Sequence, residues 1–392
     1  MLPRVFRPTV LEVFSLSNTQ LGLCFSVYGI VAMISYLFGG ALADKYPPRK
    51  LIAMALWLTA LGGLVCATYP GYGLLRVVYG YWGFTTIFLF WAPMIKATRL
   101  WGGENAQGRA FGYLDGGRGL VGALFGAMGV LVFAWVIGEG TVSAGLRENQ
   151  EAFARVILIS SFLVGLVGVL VWFFLKMDRE KEVTIILDQI TLKEVRQVLR
   201  LPAVWLLMVI ILCAYVGYKI TDVFSLYAVD VMQYDQVAAA QVGTFLLFIR
   251  PVVGITIGFL ADRSRSSLWL TISFVVAGLG AVLFIVGWIS PSTTLLFFTS
   301  VLVVAIGVYA ARSLYFAVMQ EGKIPLVLTG TAVGLISLIG YTPDIFAGPA
   351  MGYLLDAYPG EKGHQLVFLM LALFYLFGGI AAFGYYRIHK KK

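Results

Sequence analysis

The chain has 392 residues, 60% of them hydrophobic and 12% charged, with a mean hydropathy of +0.88 and a formal charge of +9. A soluble domain carries roughly 25% charged residues and covers its outside largely with polar groups, so this composition excludes a water-soluble fold and requires lipid as solvent. The positive charge is not a nucleic-acid footprint, because the basic residues fall in short breaks between apolar runs.

The N-terminal stretch 1–17 is only mildly apolar and has no long hydrophobic run, so it reads as neither a span nor a cleavable signal peptide. A membrane helix needs about 20 mostly apolar residues. In chain order the candidate spans are 21–43, 51–68, 74–95, 113–137 and 153–175, then 204–229, 238–261, 268–289, 294–319, 326–355 and 366–386, which makes eleven. Turn residues separate them, as at Tyr69-Pro70-Gly71 and Pro359-Gly360. Cys24, Cys66 and Cys213 lie inside apolar runs and read as small core hydrophobes, not as a disulfide framework or metal site.

The hydrophilic stretch 178–201 divides the sequence into an N-terminal helical half, 1–177, and a C-terminal half, 202–392. Within the stretch, Thr191 and Glu194 form a capping-box pattern, and Leu192, Val195, Val198 and Leu199 recur at helical spacing. Either a short helix lies there on the membrane surface or the segment is a solvated linker. Lys and Arg concentrate in this stretch, at Lys45, Arg49 and Lys50, at Arg263 and Arg265, and at the C-terminus; the opposite side holds Arg4, Arg7, Arg76, Arg147, Arg155 and Lys362. By the positive-inside rule the linker and the C-terminus are cytoplasmic.

Two stretches match each other across the halves. Gly40-Ala41-Leu42-Ala43-Asp44-Lys45 is followed by Arg49, and Gly258-Phe259-Leu260-Ala261-Asp262-Arg263 by Arg265. Each closes a span on the basic side. The Gly permits close helix approach, the Asp can accept from a helix N-terminus or an Arg such as Arg99, and the cations suit the cytoplasmic leaflet.

This repeated loop resembles the signature of the major facilitator superfamily, with Pro47 where the family usually has Gly. The resemblance implies a two-fold pseudo-symmetric bundle of twelve helices. It makes 21–43 the second helix, so the first is missing from the sequence; the alternative is a genuine eleven-helix protein with its N-terminus outside. Arg312-Ser313-Leu314-Tyr315, Glu321-Gly322-Lys323-Ile324-Pro325 and Gly340-Tyr341-Thr342-Pro343-Asp344 look like the sugar-phosphate and organophosphate exchanger branch.

A charge at mid-bilayer costs about 2.5–3.5 kcal/mol even on insertion scales, so each one requires a reason. Lys96, Asp115, Arg118, Lys219, Asp222, Arg250, Arg312 and Asp344 lie within the spans or at their edges. The cationic excess predicts a small anionic organic solute, with Lys219, Arg250 and Arg312 as its ligands. Asp222 and Asp344 become candidates for proton or charge coupling, with Asp222 as partner of Lys219 and Asp344 as counter-ion of Arg250 or Arg312. Asp115 and Arg118 read as a self-neutralising pair, and Lys96 as a snorkelling cation or a solute contact. Tyr28, Tyr36, Trp82, Trp91, Tyr215, Tyr218, Tyr309 and Tyr341 either line a cavity or face lipid and neighbouring helices. Gly122/Gly126 and Gly348/Gly352 have the spacing of close-packed helices.

The sequence therefore predicts a secondary active transporter of the all-α membrane class, working by alternating access, proton-coupled or by exchange. Gly40, Asp44, Lys45, Arg49, Arg99, Asp262 and Arg263 form its gating motif. It needs no cofactor or metal, binds no nucleic acid, acts as a monomer in contact with membrane lipid, and resides in a bacterial inner membrane. A non-transporting sensor and a lysolipid or lipid transporter on the same fold are the alternatives. An enzyme is disfavoured: His364 and His389 are the only histidines, and neither HExxH nor Gly-x-Ser-x-Gly is present.

Overall fold

The computed structural model describes residues 2–102, 107–137, 145–175, 192–319, 321–322 and 329–390. They form helices and short turns, with no strand among them. Ten helices among the described residues are long and apolar enough to cross a membrane. Large rings stand open on their surfaces, Phe174 at 78% exposure and Trp135 at 77%, a pattern that acyl chains solvate and water does not. Helices suit this solvent because they satisfy every backbone N–H and C=O within one segment.

The chain divides into two compact units, Pro8–Asp188 and a second comprising Met1–Arg7 with Gln189–Lys392. The N-terminal stretch that reads as mildly apolar loop folds into two short helices, α1 (Leu2–Val5) and α2 (Arg7–Val13). Val5, Phe6, Arg7 and Thr9 are each buried. Their run is too short to register as a span, yet tertiary packing covers it.

Within the first unit, α3 (Asn18–Lys45) starts at a capping box in which Ser17 and Gln20 each accept from the other's backbone N–H, at 3.2 and 3.0 Å. Pro48 opens α4 (Pro48–Cys66) at a position where its missing N–H costs nothing. The predicted span 74–95 is interrupted: α5 (Tyr72–Gly83) passes through a π-helical turn at Phe84–Phe88 into α6 (Trp91–Gly102). Thr59 Oγ1 bonds Thr85 Oγ1 there at 2.9 Å, and Trp82 Nε1 donates to Thr59 O at 3.1 Å. Helices α7 (Gln107–Ile137) and α8 (Leu146–Phe174) complete the unit. Asn149 on α8 donates to both oxygens of Glu12, at 3.1 and 3.2 Å, tying α2 in place.

The second unit holds α9 (Leu192–Leu199), α10 (Pro202–Ile220), α11 (Phe224–Asp230), α12 (Gln236–Asp262), α13 (Ser266–Ile285) and α14 (Thr294–Leu314). It ends with α15 (Thr329–Gly340), α16 (Pro343–Ala357) and α17 (Glu361–Lys390). The short helix foreseen near residue 191 exists as α9, whereas 176–191 and the Thr191–Glu194 cap lie outside the described residues. Two predicted spans are broken. A 3-10 turn at Thr221–Val223 separates α10 from α11, and Tyr341-Thr342 separates α15 from α16. In the second case Pro343, which cannot donate a backbone hydrogen bond, starts a new helix rather than bending one that continues through it. The described part of the predicted span 326–355 is thus divided between two helices, of 12 and 15 residues.

An aromatic core closes the unit. Phe284 stacks on Phe368 at 4.1 Å, and Phe224 lies 5.6 and 5.5 Å from them. The close helix crossings do not use Gly122, where an added Cβ would meet nothing within 4 Å. They use glycines such as Gly307 on α14, where a Cβ would sit 2.5 Å from Ala277 N and 2.6 Å from Ser273 O on α13. Both are backbone atoms and cannot swing aside. Gly307→Ala is expected to cost about 1–3 kcal/mol by overpacking, read as a lowered melting temperature in detergent, while Gly122→Ala leaves it unchanged.

Candidate functional site

Every intramembrane charge foreseen in the C-terminal half converges on the aromatic end of α10. That helix places Tyr215, Tyr218 and Lys219 within one helical turn, and the 3-10 turn after it tips Asp222 into the same region. The Tyr218 ring is the centre. The Arg312 guanidinium, from α14, lies 3.6 Å from its centroid, and that of Arg4, from α1, lies 4.2 Å away. Arg250, from α12, sits 5.6 Å from the ring, with Nη1 donating to the Tyr218 hydroxyl at 3.5 Å. Arg312 also reaches the Tyr215 ring at 5.4 Å. Cations over aromatic faces gain from the ring quadrupole, about 2 kcal/mol where water is excluded.

The carboxylates find partners that the sequence does not name. Asp222 pairs with Arg4 Nε and also feels the charge of Lys219. Asp344 accepts from Lys219 Nζ at 3.2 Å, and from the Tyr215 hydroxyl at 3.2 and 3.1 Å. Asp344 stands in the first turn of α16, the end of the helix whose dipole favours an anion. Tyr341, in the break, packs edge-on against Tyr215 at 4.9 Å and bonds the Tyr315 hydroxyl at 3.2 Å. Arg312 Nη1 is buried and has no hydrogen-bond partner among the described residues, a costly state for a charged donor.

Arg4 is the residue that sequence reasoning misses. It reads as one of the few cations on the outer side; here it is buried, and Ser225 Oγ donates to its carbonyl at 3.2 Å. Gly243 lets α12 close on this segment, since a Cβ there would lie 2.8 Å from Val5 Cα. The one available signal is an arginine directly preceding Val5 and Phe6. Tyr315 is missed as well, being quoted only as part of a motif.

The remaining candidates lie apart from this cluster. Lys96 Nζ donates to Ala43 O at 2.8 Å, satisfying a carbonyl in the last turn of α3. Arg118 lies over the Trp91 ring at 5.1 Å, and the Asp115 side chain is outside the described residues. Of the gating motif, Arg49 lies 5.5 Å from the Trp172 ring and Arg263 is exposed at the end of α12. The side chains of Gly40, Asp44, Lys45, Arg99 and Asp262 are outside the described residues. Glu321 caps the start of α13, accepting from Ser267 N at 3.1 Å.

The sequence matches the family model for the Major Facilitator Superfamily over residues 2–347. The chain belongs to the major facilitator superfamily. It is 29% identical over 394 residues to the Inner membrane protein YqcE of Escherichia coli, covering 97% of this chain and 87% of that protein. The fold is similar to the crystal structure of a bacterial homologue of the human lysosomal transporter Spinster, with a TM-score of 0.74, 18% identity, and coverage of 100% and 93%. It is also similar to the nucleoside transporter NupG, with a TM-score of 0.72, 16% identity, and coverage of 98% and 96%. This major facilitator is accordingly a membrane transporter and an integral inner-membrane protein.

Removing one partner of a buried ion pair strands the other charge, at about 3–5 kcal/mol. Arg4→Ala is therefore expected to destabilise the protein by that order in thermal melts. Adding Asp222→Asn to Arg4→Ala recovers part of the loss; a double variant less stable than the single one would contradict the pairing.

Proposed function

We propose that this transporter carries a small anionic organic solute by alternating access, coupled to a proton or to exchange of a second anion. The observation that carries the reading is the charge balance around Tyr218. Four cations, Arg4, Lys219, Arg250 and Arg312, meet two carboxylates, Asp222 and Asp344, among the described residues. A surplus of positive charge in a region of low dielectric is unfavourable unless a guest neutralises it. Guanidinium groups suit this work because they offer planar, paired donors to carboxylate or phosphate.

Arg312 and Arg250 are the primary ligands of the solute, with Arg312 Nη1 supplying a donor that no group among the described residues uses. Lys219 joins them through its end of the Lys219–Asp344 pair, whose side chains retain 10% and 16% exposure. Asp344 is the more exchangeable counter-charge, since a solute that engages Lys219 frees it. Asp222, held by Arg4, keeps the cation count down rather than cycling. The Tyr215 and Tyr341 rings flank the solute. The two repeated loops, with Gly40, Asp44, Lys45, Arg49 and Arg99 in one and Asp262 and Arg263 in the other, serve as inner gates. The solved structures it resembles, of a Spinster homologue and of the nucleoside transporter NupG, support transport.

A thermal-shift panel of sugar phosphates, carboxylates, peptides and lysolipids on purified protein tests this reading. Anionic compounds of small size are expected to raise the melting temperature. Arg312→Ala and Lys219→Ala are expected to weaken the best of them about tenfold to a hundredfold, the loss of one charge-assisted hydrogen bond. Affinity unchanged in both variants, or stabilisation by neutral peptides alone, sinks the assignment. Uptake of the same compound into proteoliposomes separates a transporter from a sensor.

A further inference from the structure

We infer that the Tyr309 hydroxyl is a ligand of the solute, donating together with Arg312 Nη1 to one oxoanion group, a carboxylate or a phosphate. The inference rests on the anion reading above and adds to it a residue that carries no charge.

Tyr309 and Arg312 stand three residues apart on α14, so their side chains leave the same face of the helix. That face is turned to the arginine cluster. The Arg312 guanidinium lies 3.6 Å from the Tyr218 ring centroid, and Tyr309 is close enough to Arg4 and Arg250 to feel their charges. Tyr309 is 1% exposed. Its hydroxyl, like Arg312 Nη1, is buried without a hydrogen-bond partner among the described residues. Thr221 lies beside that hydroxyl. Thr221 Oγ1 gives its own proton to Tyr218 O at 2.7 Å, and it makes no well-formed hydrogen bond with Tyr309.

Buried polar groups are nearly always paired, and other phenols of this unit are. Tyr215 donates to Asp344, Tyr375 to Ala214 O at 3.4 Å, and Tyr385 to Val318 O at 2.8 Å. Tyr227 is the other tyrosine among the described residues whose buried hydroxyl finds no partner. Its surroundings differ, because the rings of Phe284, Phe297 and His364 pack around it. Around Tyr309 the neighbours are arginines, which have donors and no acceptor. An arginine cannot take the phenol proton. The group that completes this site therefore brings acceptor oxygens and negative charge. A carboxylate or a phosphate brings both: one oxygen accepts from Arg312 Nη1, and the same or an adjoining oxygen accepts from the Tyr309 hydroxyl. Hydrogen bonds to an ionised acceptor are shorter and stronger than neutral ones. A guest without an oxygen at that place leaves the hydroxyl unpaired, so Tyr309 discriminates as well as binds.

The test uses the full chain purified in detergent, with inorganic phosphate and acetate as probes and thermal shift as the readout. At least one probe is expected to stabilise the wild type. Tyr309→Phe keeps the ring and removes only the hydroxyl. Without a probe its melting temperature is expected to equal or exceed that of the wild type, because no internal hydrogen bond is lost. The affinity for the probe is expected to fall about tenfold, the worth of one hydrogen bond. Arg312→Gln is expected to weaken the same probe at least as much, and Tyr227→Phe to leave it unchanged. A lowered melting temperature of probe-free Tyr309→Phe, or its failure to fold, overturns the inference, since the hydroxyl is then bonded within the protein. An equal loss of affinity in Tyr227→Phe overturns it as well. Affinity unchanged in Tyr309→Phe but weakened in Arg312→Gln removes this inference and leaves the anion reading standing. A wild type stabilised by neither probe removes the anion reading, and the inference with it.

Discussion

A cation placed in a hydrocarbon layer must be answered by an anion, a ring face or a hydrogen-bond acceptor, and that requirement organises the C-terminal unit. Arg4, Arg250 and Arg312 arrive from three separate helices and meet at one tyrosine ring. The ring takes part of the electrostatic load without carrying a fixed charge. Two carboxylates, Asp222 and Asp344, take part of the rest. Burial of this kind is a poor device for stability alone, because desolvation offsets much of the Coulombic gain.

Helix interruptions bring these groups together. The 3-10 turn at Thr221–Val223 falls at Asp222, and the break at Tyr341-Thr342 falls just before Asp344. An unbroken helix would keep these carboxylates in the regular 3.6-residue register and leave no helix start inside the membrane. The break creates one, and the dipole at that helix start favours an anion. Irregular backbone at membrane depth is tolerated where protein or water, and not lipid, surrounds it. In the first unit the π-helical turn at Phe84–Phe88 marks a comparable departure, there tied by threonine hydroxyls instead of charges.

The order of the spans, the family and the membrane location were legible in the sequence because they depend on one-dimensional quantities. Apolar run length reports a crossing, and the twice-repeated Gly-x-Leu-Ala-Asp pattern reports the superfamily. Lys219, Arg250, Arg312, Asp222 and Asp344 were legible as a set for the same reason: a charge inside an apolar run stands out without any knowledge of its neighbours.

Who pairs with whom was not legible. Spacing of three residues along one helix suggested Lys219 with Asp222, and the structure adds partners more than a hundred positions away, Asp344 for Lys219 and Arg4 for Asp222. Arg4 escaped notice because its short segment is not apolar enough to look like membrane, and only its packing against Ser225 and Gly243 buries it. Run length and charge placement, which act residue by residue along the chain, were thus determined by the sequence itself. The choice of counter-ion was decided by the tertiary structure, because electrostatic energy depends on distance in space, and only the folded helices set that distance.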